Sequence, residues 1–186
     1  MSYSRLILIT FTLLLSVFVR AESPTIDAKL PTLAIEKRGE LHLEGDDINY
    51  KPWTSTENPG QVHIVQYLAA TRSASKVYRP LTDKLADNYT HEDFHITTII
   101  NLDDAMWGTG GMVVSEVEDS KREFPNSTLV LDEKGSGRSS WSLEKKGAAL
   151  AILNKDGTVL HFTQQPMDDA VLQQLYELVE SQIEVN

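Results

Sequence analysis

Cysteine, the most nucleophilic of the common side chains near neutral pH, is missing. The 186-residue chain contains none, which removes thiolate nucleophiles, disulfides, iron–sulfur clusters and cysteine–zinc sites together. Attack on a disulfide needs a thiolate, so thiol–disulfide exchange is excluded. The histidines, His42, His63, His91, His95 and His161, are scattered, and none accompanies a Gly-x-Ser-x-Gly elbow. Ser75 therefore has no base in view that would make it a nucleophile. His91 and His95 stand four apart, the spacing of two ligands on one helical face, but His95 opens a predicted strand and no third ligand is near. No metal site and no cofactor is expected. The stretch Met106-Trp107-Gly108-Thr109-Gly110-Gly111 is glycine-rich but lacks the following Gly-Lys-Ser/Thr of a phosphate-binding loop. It reads as a flexible loop near the strand ends, with Trp107 as its aromatic. Asp103 and Asp104 have the types for cation binding or acid–base work; adjacent acids at a strand end are more commonly solvated.

One group of residues has a physical rationale as a site. A helix is predicted over residues 73–88, kinked at Pro80. The free N–H groups and dipole at its start attract an anion. Arg72 adds a positive charge there and Ser75 a hydroxyl donor, so a carboxylate, a phosphate or the acidic side chain of a partner has somewhere to dock. Two plainer readings compete: Ser73 or Ser75 caps the helix, and Arg72 pairs with Asp103 or Asp104.

The elements that would position these residues follow from hydrophobic patterning. Residues 33–35 and 41–43 suggest a hairpin turning at Arg38-Gly39-Glu40, and residues 50–60 read as a loop. Residues 62–68 (VHIVQYL) and 94–102 (FHITTIINL) read as buried central strands. A second helix is expected over 113–124 and stopped by Pro125, then a strand over 127–131 and a turn over 132–135. Strands over 148–153 and 158–162 turn at Asn154-Lys155-Asp156-Gly157, where glycine supplies the positive φ. The last helix, 168–183, carries an apolar stripe of Val171, Leu172, Leu175, Leu178, Val179 and Ile183. The order is that of an α/β domain with a mixed sheet.

Residues 1–21 read as a secretory leader: Arg5, an apolar run over 6–19, then Val19-Arg20-Ala21 as the cleavage signal. About 14 apolar residues fall short of the roughly 20 that span a bilayer, so cleavage after Ala21, a periplasmic address and no membrane attachment afterwards are expected. The formal net charge is −10, from 17 basic and 27 acidic residues. Losing Arg5 and Arg20 with the leader makes the mature chain more acidic still. Such a balance disfavours nucleic acid, because repulsion opposes every encounter.

The layout resembles thioredoxin: an α/β, thioredoxin-like mixed sheet with flanking helices and an N-terminal β-hairpin, over residues 22–186. Gln66 to Thr71 stand where thioredoxins enter the active-site loop, Arg72-Ser73-Ala74-Ser75 where the two cysteines and their spacer would be, followed by Lys76 and Pro80. Ala149 stands where the resemblance implies a cis-proline. Across the mature chain the sequence is similar to the YtfJ family of bacterial periplasmic proteins, carried by Lys37-Arg38-Gly39-Glu40-Leu41, Tyr50-Lys51-Pro52-Trp53, Arg72-Ser73-Ala74, Thr97-Thr98-Ile99-Ile100-Asn101 with Asp103-Asp104, and Leu153-Asn154-Lys155-Asp156-Gly157. The resemblance implies a thioredoxin-like fold in the periplasm and supplies no activity. The surface around Thr71, Arg72, Ser73, Ser75, Asp103, Asp104, Trp107 and Ala149 is expected to bind an envelope protein or a small anionic ligand without catalysis. The alternative is an envelope enzyme or stress factor with non-cysteine chemistry.

Overall fold

The computed structural model describes residues 21–57, 60–106 and 108–184. Residues 1–20 of the leader, Asn58, Pro59 and Trp107 thus lie outside the described residues. In chain order the strands are β1 (Ala34–Glu44), β2 (Asp47–Thr54), β3 (Val62–Ala69), β4 (Phe94–Asn101), β5 (Thr128–Asp132), β6 (Ala148–Leu153) and β7 (Val159–Thr163). The helices are α1 (Arg79–Ala86), α2 (Gly110–Glu123), α3 (Ser136–Ser140) and α4 (Asp169–Glu184). They build one sheet in the order β2-β1-β5-β4-β3-β6-β7. The three middle strands β5, β4 and β3 run parallel, and the outer pairings are antiparallel.

The strongest β-branched run becomes a fully enclosed strand: all eight residues of β3 are buried. Alternation sends its side chains to opposite faces. On one face, Val62, Ile64 and Leu68 meet Leu150 and Ile152, beneath Leu81 and Leu85 of α1 and Leu175 and Val179 of α4. Full burial of each such leucine is worth about 2 kcal/mol. On the other face, Val65 and Tyr67 join Ile99, Val130 and Ala151 under Leu33, Trp53 and Trp141. Helix α2 covers a different part of the first face, through Val114 and Val117 against Leu41, Leu129 and Leu131.

Several expectations are corrected. The N-terminal hairpin exists, but its arms are β1 and β2 and its two-residue loop is Gly45-Asp46, so residues 50–54 are strand rather than loop. Pro52 is tolerated because β2 is an edge strand and needs no second partner for its nitrogen. Arg38 and Gly39 do not turn the chain. They make a bulge within β1, both at positive φ (62° and 73°), where the register against β2 shifts. Only glycine fits there, since a Cβ on Gly39 would lie 2.1 Å from the Lys51 carbonyl oxygen. Pro80 does not kink a long helix. A separate 3-10 turn spans Ala74–Lys76, and α1 starts at Arg79 with Pro80 in its first turn, where a missing N–H breaks no helical bond. Helix α2 begins at Gly110, earlier than expected, and α3 was unsignalled in a polar Ser-Gly stretch.

Candidate functional site

The loop that leaves β3 is short and self-contained. Thr71, rather than Ser73 or Ser75, caps the 3-10 turn: its Oγ1 accepts the Ala74 N–H at 3.2 Å. Ser75 donates its hydroxyl back to the Arg72 carbonyl at 3.2 Å. The N–H groups of Ser75, Lys76 and Val77 are taken by the carbonyls of Thr71, Ser73 and Ala74. The row of free amides expected for an anion is therefore shortened, and what projects is the exposed Arg72 side chain. Arg72 forms no ion pair among the described residues. The partner expected for it is engaged elsewhere, since Asp103 Oδ2 accepts from Arg138 Nη2 at 2.9 Å.

Asp104 is the opposite of a solvated loop acid. It is buried, accepting Asn101 Nδ2–H at 2.8 Å and the Lys146 N–H at 3.1 Å. It belongs to a polar row at the carboxyl ends of the parallel strands, where Asn101 pairs in register with Asp132. Asp132 is fully enclosed and receives three donors: the Tyr67 hydroxyl and the Gly137 N–H at 2.8 Å on Oδ2, and the Lys134 N–H at 3.3 Å on Oδ1. Burial, then the Asp132 carboxylate, pushes the Tyr67 hydroxyl far above the usual phenol range. Gly137 must be glycine, because a Cβ would lie 2.2 Å from the Tyr67 ring. Tyr67 and Asp132 were not singled out in the sequence; the signal was a polar group closing each apolar strand. The row ties α3 and the segment before β6 to the sheet. Ala149 faces that same packed side within β6, so it does not join Arg72. Trp107 lies outside the described residues.

Two of the five histidines meet at the other end of the sheet. His63 and His95 are register partners with rings 5.2 Å apart. Each ring Nε2 meets a threonine hydroxyl, Thr97 at 2.8 Å and Thr128 at 2.9 Å. Burial, and secondarily His95, lowers the His63 pKa to about 3; burial, then Lys121, lowers that of His95. They line a cavity of about 260 Å³ with Glu40 and Glu57. His91 is exposed and apart from it. Among the described residues no three His, Asp or Glu side chains are grouped to hold a metal ion.

Beside Arg72 lies an open groove. A cavity of about 480 Å³ lies between the loop and α2, lined by Thr71, Arg72, Ser75, Met106, Met112 and Val113 among others. A second of about 420 Å³, between α1 and α2, continues along the sheet and shares Ser120 with the first. Among the described residues the large exposed apolar side chains are Ile26, Met106, Met112 and Phe124. All but Ile26 border this groove. Sequence reading placed Thr71, Arg72 and Ser75 on it and missed the methionines, Phe124 and the strand residues of its floor.

Residues 25–182 match the model of a family described as "Bacterial protein of unknown function (YtfJ_HI0045)". The chain is 32% identical over 160 residues to an uncharacterized protein of Haemophilus influenzae, covering 86% of this chain and 87% of that one. It is 31% identical over 177 residues to the uncharacterized protein YtfJ of Escherichia coli K12, covering 95% and 96%. Among solved structures it resembles the thioredoxin domain of a thiol-disulfide oxidoreductase from Bacteroides vulgatus, with a TM-score of 0.54 at 14% identity, over 84% of this chain and 99% of that one. The fold is thioredoxin-like, and at that identity the likeness extends to the fold alone.

Proposed function

This chain belongs to the YtfJ family of bacterial proteins, and from that premise we propose that its mature form works in the periplasm as a non-catalytic binding module. The observation that carries the reading is the concentration of Met106, Met112 and Phe124 along one groove beside Arg72. Met106 and Met112 lie at the Arg72 end of the groove and Phe124 at the other; exposed apolar surface rimmed by polar groups is characteristic of a binding surface, and methionine adapts to a partner's shape. The absence of cysteine supports binding over redox chemistry. Arg72 supplies the anchor for an acidic group of the partner.

A photo-crosslinking residue at position 112, expressed in cells, is expected to give a discrete adduct in the osmotic-shock fraction, while the same residue at the remote exposed position Ile26 does not. No adduct from position 112, or equal adducts from both, removes the reading. The same fraction tests the address. N-terminal sequencing is expected to begin at Glu22; intact Met1 in the membrane fraction would refute export with cleavage. Among the described residues no helix is long and apolar enough to cross a membrane.

A further inference from the structure

Resting on the binding-module reading, we propose that the groove between α1 and α2 receives an extended segment of a protein partner, rich in apolar and basic side chains, with a carboxylate of that segment on Arg72. The floor of the groove is bare sheet. Helix α1 packs with α4 over β3 and β6, and α2 packs over β1 and β5, leaving a strip of Gln66, Ile96 and Thr98 between them. The two cavities together follow β4 from the His91 end to the Arg72 end. An eight-residue strand rising about 3.3 Å per residue spans about 26 Å, so a bound extended segment has about eight residues.

Polar groups on that floor favour an extended occupant over a helix. Gln66 is only 6% exposed and lines the groove. Neither its amide nor the Thr98 hydroxyl has a hydrogen-bond partner among the described residues. A helix satisfies its own backbone, whereas an extended chain arrives with N–H and C=O groups needing partners. Gln66 offers a donor and an acceptor, and Thr98 either one.

The rim sets the sign of the charge. Glu116 and Glu123 lie seven residues apart on α2, hence on one helical face, and both line the groove, exposed and without an ion pair among the described residues. Asp83, on the opposite rim, is held by Arg79 at 3.2 Å. Arg72 is the cation at the loop end. With a chain charge of −10 behind it, the groove attracts basic segments and repels acidic ones, except at Arg72.

The test uses fluorescein-labelled ten-residue peptides and anisotropy with the purified protein. Alternating Lys/Leu is expected to bind at least tenfold more tightly than alternating Glu/Leu or Lys/Ser, more weakly at high salt. E116K/E123K is expected to raise the Lys/Leu dissociation constant at least tenfold. E177K/E184K, an equal charge change on exposed positions of α4, is expected to shift it less than twofold. Equal binding of all peptides, preference for Glu/Leu, or equal losses in both double variants overturns the proposal. So does a sedimentation result in which the peptide competes with dimerisation, which gives the groove to a second copy of the chain. Adducts from position 112 persisting while the peptides fail would refute this partner chemistry and leave the binding-module reading standing; loss of both removes both.

Discussion

Tyr67 and Gln66 are neighbours on β3, a strand buried along its whole length, yet they meet opposite fates. Tyr67 faces the closed side of the sheet, where its hydroxyl is held by Asp132, and Asn101 and the Lys146 N–H are held by Asp104 Oδ2, with only Asp104 Oδ1 left unmatched in the row among the described residues. Gln66 faces the open side, buried but with its amide unmatched, on the floor of a groove that runs on to the exposed Met106 and Met112. The same alternation separates Thr97, bonded to His63, from Thr98, bonded to no side chain among the described residues. Most polar groups of the carboxyl-end row are bonded within the fold, whereas Gln66 and Thr98 on the open side make no side-chain hydrogen bond among the described residues. Changes on the first side should therefore cost stability, and changes on the second should cost binding.

The largest test is acid. His63 is held neutral in the folded protein, its pKa lowered from 6.5 to about 3 by burial and His95. The unfolded chain takes up that proton as pH falls through about 6.5, so stability is lost from there down toward the folded value, and nothing is lost above it. The full contribution is on the order of 5 kcal/mol, at about 1.4 kcal/mol per pKa unit, of which roughly 2 kcal/mol is lost by pH 5. His95 and His161 are shifted in the same direction by burial. Urea midpoints at pH 7.5, 6 and 5 should fall steadily, and His63→Gln should flatten the slope. A midpoint unchanged between pH 7.5 and 5 would mean that His63 is protonated in the folded state.

Asp132→Ala comes next. It strands the Tyr67 hydroxyl and two N–H groups inside the protein, and buried donors without partners cost about 1–3 kcal/mol each. A loss of about 3 kcal/mol is expected in urea unfolding, with peptide binding in the groove retained at conditions where the variant is folded. A loss below about 0.5 kcal/mol, the range of ordinary surface changes, would make the carboxyl-end row dispensable and erase the contrast with the open side.

How legible each side was depended on the length of its elements. The long apolar runs gave β3, β4, β6 and β7, and the stripe of Val171, Leu175 and Val179 gave α4. Strand β2 was hidden because Tyr50-Lys51-Pro52-Trp53 has the composition of a turn, and only its edge position makes that proline acceptable. Helix α3, at five residues, is too short for a period to register. Placing Arg72 after the first central strand was enough to locate the carboxyl end of the sheet, where open α/β sheets hold ligands. The partners of the acids were not readable, since Asp103 finds Arg138 from 35 positions away. Gln66 and Thr98 did leave a trace, as polar residues inside VHIVQYLA and FHITTIIN, but alternation alone does not say which face of a sheet stays uncovered.

The smallest effect on stability should come from the open side, at Arg72. Its side chain is exposed and has no ion pair among the described residues, so Arg72→Ala should leave the urea midpoint within about 0.5 kcal/mol of the parent. Binding should respond instead. A charge-assisted hydrogen bond contributes about 1.5–3 kcal/mol, so a Lys/Leu peptide with a free C-terminal carboxylate should bind roughly tenfold or more weakly to the variant. Its C-terminally amidated twin lacks the group that Arg72 would hold, and should bind parent and variant alike. Arg72→Lys should recover part of the loss, since it restores the charge without the two-pronged geometry of the guanidinium. If the free and amidated peptides lose affinity equally, Arg72 acts only through long-range charge. If neither loses any, the loop is a remnant of the thioredoxin plan, and binding is confined to the stretch of groove between Met112 and Phe124.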